Sequence, residues 1–283
     1  MIKEYRLKTV DGYKIMCESY DSALGVVTDC RKRTNTSSSF DDMNDGKLGG
    51  HGADFCGVKN YEEALDLLEH GYQPIVEKLK VAMKANVMGA GKRITFHNDI
   101  VGYAPIVPLA ILGVPSSMIN SKMKPIKAKV VDVYYDGTFP WYVNSEDIIK
   151  NGSKVLSVIM DLEQQGYRFN LYQIQSYSDG SGCDMLKVKL KDSCQPIDLK
   201  RMSFPMAHTG FFRVIGFDWY GKTPKGKYRC AYGRALAHES KCNSKLPEMF
   251  KEMFGSNAIY VSGAKLHQQS DKEKYLREMF TGK

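Results

Sequence analysis

The sequence predicts an α/β protein built on a mostly parallel, three-layer sheet. Three observations lead there. Residues 126–178 read as a strand, a long amphipathic helix and a second strand. The intervening helix is long enough to carry the chain back across a sheet, and such crossovers are right-handed almost without exception, so the two strands should be parallel. The residues beyond supply a further strand, a helical region, a helix and a last strand, the alternation typical of this class.

Within that unit, Ala128 to Tyr135 is rich in Val and Tyr, with Val131, Val133 and Tyr135 on one face and Asp132 and Tyr134 on the other. Asn144 or Ser145 caps the helix, and Glu146 and Asp147 in its first turn complement the dipole. Ile148, Ile149, Val155, Leu156, Val158, Ile159 and Leu162 form a broad apolar face, and Gly166 ends it. Tyr167 to Tyr177 alternates as the second strand. The polar turn 178–182 returns the chain into Met185–Leu190, whose alternating lysines predict one antiparallel edge strand. A helix at Leu246–Phe254, a strand at Ala258–Val261 and a short charged helix from Gln268 complete the chain.

The N-terminal part is expected to form a small α+β extension. Two short strands flank Asp11-Gly12, a strong hairpin turn. Residues 31–52 are polar and read as a loop. Asn60 caps a helix with Glu63 at the third position, and Gly71 stops it. A second helix covers 74–83. Such a pair is ordinarily a packed αα-hairpin; a DNA-reading version needs a basic recognition helix, and this one has only scattered lysines. Residues 88–125 are punctuated by Gly and Pro and read as loop, with a buried apolar segment from Val107 to Met118. The division predicted is 1–124 for the extension, 125–265 for the α/β domain and 266–283 for a charged tail.

A chain of 283 residues with ordinary globular composition can bury a sizeable core, so disorder is excluded as the main state. Seven cysteines, an odd number without a C-x-x-C pair, predict neither a zinc site nor a disulfide framework. No secretory leader is visible after Met1, and the longest apolar stretch falls far short of the ~20 residues of a membrane span. A cytosolic location and no membrane partner are the expectations.

The formal charge of +8 is concentrated. Lys200, Arg201, Arg213, Lys222, Lys225, Lys227, Arg229 and Arg234 stand against the single acid Asp218. Phe204, Phe211, Phe212, Phe217, Trp219, Tyr220, Tyr228 and Tyr232 are interleaved with them. Cations that neutralise phosphates and rings that stack on bases make a single-stranded nucleic-acid binder. The same residues serve a protein interface, or a core with a solvated loop.

The element order resembles the von Willebrand factor A-like, Rossmann-like domain. The chain is also similar to an uncharacterised group of bacteriophage-encoded proteins. Its resemblance rests on the run 55–64, Leu67-Leu68-Glu69-His70-Gly71, Val107-Pro108, the run 113–118 and Ile149-Lys150-Asn151-Gly152, and spans roughly 53–265. That group carries no activity to transfer. Metal-binding von Willebrand A-like domains place Asp-x-Ser-x-Ser after the first strand, because hard oxygens suit Mg2+ or Mn2+. Here the residues are Asp136-Gly137-Thr138-Phe139-Pro140: Asp136 and Thr138 fit, Pro140 does not, and Thr209 and Asp218 are the residues left to complete a set.

Elsewhere His51, His97, His208 and His238 stand in no fixed relation to a nucleophile, and Gly89-Ala90-Gly91-Lys92-Arg93 lacks phosphate-loop spacing. The expectation is therefore a non-enzymatic phage binding or assembly protein. Its partner would be protein or a second copy of itself, in the host cytosol or on the virion. Single-stranded RNA or DNA binding through 200–234 is the alternative, and a divalent-metal enzyme at Asp136 the weaker one.

Overall fold

The computed structural model describes residues 4–10, 13–34, 48, 52–85, 92–125, 129–178, 182–223, 236 and 245–282. The chain opens with an antiparallel ribbon, β1 (Glu4–Val10) and β2 (Tyr13–Tyr20), then α1 (Ala23–Cys30). A single turn, α2 (Ala53–Cys56), precedes α3 (Tyr61–His70) and α4 (Gln73–Ala85). The Asn60 side chain accepts from Glu63 N at 2.8 Å, the cap expected there, and Gly71 takes a positive φ of 80°.

Next come β3 (Lys92–Asp99), β4 (Ala104–Pro105), the short helix α5 (Val107–Ile111) and β5 (Met118–Pro125). These pair as a separate three-stranded sheet in the order β3-β5-β4. The loop expected over 88–125 is thus corrected over 92–99, 104–105, 107–111 and 118–125. So is the burial of the segment from Val107: α5 forms, but none of its residues is buried.

The predicted strand–helix–strand unit is present as β6 (Lys129–Asp136), α6 (Ser145–Gln164) and β7 (Tyr167–Ser178). The strands are parallel, in register from Lys129 opposite Tyr167 to Asp136 opposite Ile174. Val155, Leu156, Val158, Ile159 and Leu162 of α6 are buried, each contributing roughly 2 kcal/mol. β8 (Gly182–Lys191) follows antiparallel to β7, then α7 (Leu199–Ala207) and a π-helical turn (Phe211–Gly216) that runs into α8 (Phe217–Lys222). The chain closes with α9 (Leu246–Phe254), β9 (Ala258–Ser262), α10 (Gly263–His267) and α11 (Lys272–Thr281).

The main sheet is mixed and six-stranded, in the order β1-β2-β8-β7-β6-β9. β8 is therefore not an edge: β2 pairs along its other side in parallel, from Lys14 opposite Gly182 to Tyr20 opposite Val188. The alternating lysines serve other ends. The irregularity between Leu171 and Tyr172 turns Lys191 toward α6, where its Nζ meets Glu163 Oε1 at 2.7 Å. Lys187 instead lies over the rings of Tyr172 and Phe254. From the residues predicted as the N-terminal extension, β1 and β2 complete this sheet and α3 and α4 pack on α7.

Alternation divides the strands between two cores. Val131, Val133 and Tyr135 of β6 point into the helical layer, with Phe169, Leu171, Leu186 and Val188 beside them. Tyr134, Ile174, Met185 and Tyr260 pack on the opposite face under α9. The tail is part of the fold as well: Leu276 and Phe280 of α11 are buried, and Phe280 meets Phe169 edge-on at 5.7 Å.

Candidate functional site at the carboxyl end of the parallel strands

β6, β7 and β9 run parallel, so their carboxyl ends share one edge of the sheet, where open α/β folds bind ligands. β6 ends at Asp136, whose side chain falls on the α9 face by the two-residue alternation of a strand. Its Oδ2 accepts from Ser176 Oγ at 2.6 Å and from the Tyr260 hydroxyl at 2.7 Å. Its Oδ1 accepts from Thr138 N at 3.0 Å. Thr138 Oγ1 in turn accepts from Ser176 N at 2.8 Å, and Ser176 Oγ accepts from Leu236 N at 3.0 Å. Asp136, Thr138 and Ser176 are all wholly buried.

Burial raises the Asp136 carboxyl above the usual carboxylate range, opposed by the hydrogen bonds from Ser176, Tyr260 and Thr138. Burial and the neighbouring Asp136 likewise push the Tyr260 phenol well up. This is a knot that ties three strand ends together. The predicted metal-ligand pair is already engaged within the protein. Thr209 and Asp218 do not complete a set, because Thr209 Oγ1 donates to Cys56 O at 3.1 Å and Asp218 is paired with Lys222 and Tyr61. Among the described residues no group of three His, Cys, Asp or Glu side chains is placed to hold a metal ion.

The loop after β6 is held from below and open above. Gly137 is needed for close approach, since a Cβ there would come within 2.2 Å of Gln173 Nε2. Phe139 and Val143 are buried with Ile148 in a small core of their own. Between them Trp141 and Tyr142 stand 78% and 63% exposed, ring edge to ring face, with centroids 6.1 Å apart.

The far end of this loop is fastened by Arg213 from the π-helical turn, an irregularity that recurs at functional sites. Its Nη2 donates to Val143 O at 2.9 Å and its Nη1 to Phe55 O at 2.7 Å, with the guanidinium 4.1 Å from the Phe55 ring centroid. Among the described residues no carboxylate pairs with it, and burial lowers its pKa to about 10.

The expected basic, aromatic surface is largely interior. Arg213 is buried as just described. Trp219 is wholly buried and donates through Nε1 to Glu18 Oε2. Glu18 also receives Arg33 Nη2 at 2.7 Å and the Tyr20 hydroxyl at 3.0 Å. Lys222 is buried and pairs with Asp218 at 2.7 Å. Phe204, Phe211, Phe212 and Phe217 are core residues, so these rings are not available to stack on bases. Lys200 and Arg201 are exposed and line a cavity of about 380 Å³ with Leu24, Leu68 and Glu69. Lys225, Lys227, Arg229 and Arg234 lie outside the described residues, as do His51, His238, Tyr228, Tyr232 and the run 89–91.

His208 is buried between Tyr72 and Phe204, and burial drives its pKa down to about 4. Cys17, Cys30, Cys56, Cys183 and Cys194 take part in no disulfide. No helix among the described residues is long and apolar enough to cross a membrane. The feature that sequence reading missed is the pair Trp141-Tyr142. Its signal was present, a Pro-Trp-Tyr run directly after a strand at the ligand-binding end of a parallel unit.

Fold and site together define an α/β protein whose parallel strands are joined near their carboxyl ends by buried polar groups and followed by an exposed aromatic loop. The chain belongs to the family described as Domain of unknown function (DUF7192), whose family model matches residues 5–282. No curated protein and no solved structure matches it.

Proposed function

We propose that the chain is a non-enzymatic binding and assembly protein, encoded by a bacteriophage and built on a degenerate von Willebrand factor A-like scaffold. The strand order β8-β7-β6-β9, with β8 antiparallel, has the 3-2-1-4 arrangement of a doubly wound sheet and supports the scaffold. One observation carries the function. At the edge where such folds bind, the buried Asp136, Thr138 and Ser176 satisfy one another, while Trp141 and Tyr142 face solvent. Exposed Trp and Tyr on an anchored loop are the side chains that dominate protein interfaces. The partner is accordingly protein, met in the host cytosol or on the virion.

A photo-crosslinking residue at Trp141 in the full chain, exposed to infected-cell extract, tests this. The expected result is one crosslinked protein, lost when Tyr142→Ala is added although the melting temperature is unchanged. Equal capture with and without Tyr142→Ala removes the loop as the contact. Tight binding of labelled single-stranded oligonucleotides at low salt, insensitive to this loop, replaces the reading with the nucleic-acid one.

A further inference from the structure

The small sheet formed by β3, β4 and β5 stands apart from the rest of the fold. Lys92 pairs with Pro125 where the chain enters and leaves it, and Asp99 pairs with Met118 at the other end. Eight strand residues separate those ends by roughly 25 Å, so residues 100–117 form a tip remote from both connections. Among the described residues, only isolated contacts join this sheet to other elements. None of residues 96–122 is buried. Ile100, Val101, Val107, Ile111 and Leu112 are each more than half exposed. Together they present on the order of 600 Å² of apolar surface, enough to mark an interaction site.

Three features select what covers it. No charged residue occurs between Asp99 and Lys122, in a chain of which 25% is charged, and from Ala104 to Pro115 no side chain carries a polar group. The short helix α5 is apolar on every side: Val107 to Leu112 follow one another at 100° steps and none is buried. A protein partner or a second copy covers one side of such a helix, whereas a helix apolar all round belongs in a medium that surrounds it. The backbone suits that medium, in which every N–H must be satisfied internally. Ile106 donates to Ser117 O at 2.7 Å, Leu109 and Ala110 to Ile106 O, and Leu112 to Pro108 O. Gly113 donates to Ala110 O and Val114 to Leu109 O, while Pro108 and Pro115 have no N–H.

We propose that this tip is a lipid anchor, entering the headgroup and outer acyl region of a bilayer to a depth of about 5–10 Å. Charge complementarity fixes the orientation. The uncharged stretch 100–121 faces the lipid, and Lys122, exposed at its border, carries the charge that suits the headgroup phosphates. Asp99, the border charge on the other side, is engaged within the sheet by Ile100 N at 2.7 Å, Asn120 Nδ2 at 3.3 Å and His97 Nε2 at 3.4 Å. Phe96 and Tyr103 stand where the tip joins the sheet, 66% and 65% exposed with ring centroids 6.5 Å apart. Aromatic side chains at that level mark the boundary between lipid and water. A contact of this kind needs no spanning helix, and it does not rest on the Trp141 loop.

Flotation of the full chain with neutral phosphatidylcholine vesicles, and with vesicles carrying about 30% phosphatidylserine, tests the proposal at low and high salt. Binding to both is expected, and it should survive high salt because hydrocarbon rather than headgroup charge holds the tip. Ile111→Asp combined with Leu112→Asp should weaken binding roughly tenfold or more and leave the melting temperature unchanged, since neither side chain is buried. Leu112→Trp should add fluorescence that bromine-labelled acyl chains quench beyond the level seen in the native protein. No flotation with either vesicle overturns the proposal. So does binding to anionic vesicles alone that salt abolishes and the double variant retains, which is attachment by charge. A concentration-dependent dimer lost in the double variant, without flotation, gives the surface to a second copy and overturns it too.

Discussion

The hydroxyl of Tyr260 and the carboxylate of Asp136 meet at 2.7 Å where no solvent reaches, joining the ends of β9 and β6. Ser176 adds β7 to the same oxygen. Asp136→Ala leaves three donors without an acceptor and is expected to cost roughly 3 kcal/mol or more in urea unfolding. Asp136→Asn should cost less, about 1 kcal/mol, because the Ser176 and Tyr260 hydroxyls can rotate to accept from the new amide.

The same engagement predicts that divalent metal has no place to bind at Asp136. Millimolar Mg2+ or Mn2+ should leave the melting temperature of the wild-type protein unchanged, measured by calorimetry. A rise that disappears in Asp136→Ala would show that the ion can displace the hydroxyls.

Arg213 holds Phe55 O and Val143 O at once, so it ties α2 to the loop that presents Trp141 and Tyr142. Arg213→Lys supplies one donor group of different geometry and should destabilise by about 2 kcal/mol. Hydrogen exchange of the amides from 141 to 143 should accelerate by more than the global loss of stability explains.

His208 is neutral at pH 7 because burial disfavours its charged form. Its folded pKa of about 4 lies below the ordinary 6.5, so the folded state binds the proton less readily than the unfolded chain. Its contribution to stability is complete above pH 6.5 and is lost as the pH falls toward 4. The Asp136 shift has the opposite sign, with stability lost as the pH rises, so the two must be separated. Wild type minus His208→Gln should fall by up to about 3 kcal/mol between pH 7 and pH 4, read from denaturant midpoints.

Gly152 lets α6 touch α7 directly: a Cβ there would lie 2.0 Å from Met206 O and 2.6 Å from Ala207 Cα. Although alanine favours helix, Gly152→Ala should destabilise by about 3 kcal/mol, because backbone cannot step aside as a side chain can. Thermal unfolding of the variant checks it.

What could be read from the sequence was whatever burial writes into a periodic pattern. The β6-α6-β7 unit, the caps at Asn60 and Asn144 and the helix over 246–254 follow from apolar spacing and local capping chemistry. The strands within 92–125 were read as loop; among their described side chains, residues 96–122, none is buried, so no alternation of burial marks them. β8 looked like an edge because lysines that end in an ion pair or over aromatic rings read the same as lysines facing water. Trp219, Lys222 and Arg213 were misplaced for a related reason. Their partners Glu18, Asp218, Phe55 and Val143 are fixed by the tertiary fold, and for all but Asp218 they lie far away in sequence. Asp136 was located correctly at its strand end, but its partners Ser176 and Tyr260 come from strands that a local reading cannot bring to it.

The pairing of β2 with β8 joins residues 14–20 to residues 182–188, and the Tyr13 hydroxyl donates to Gly182 O across the same span. During synthesis the N-terminal hairpin therefore emerges long before its neighbour exists. It must wait while the intervening residues are made, or form last, once β8 has left the ribosome. Contacts so distant along the chain slow folding, because the intervening loop has to close before the pairing is rewarded. Until then the ribbon carries an open strand edge, and β8 carries another. A chain cut before β8 is therefore expected to aggregate through the open edge of β2.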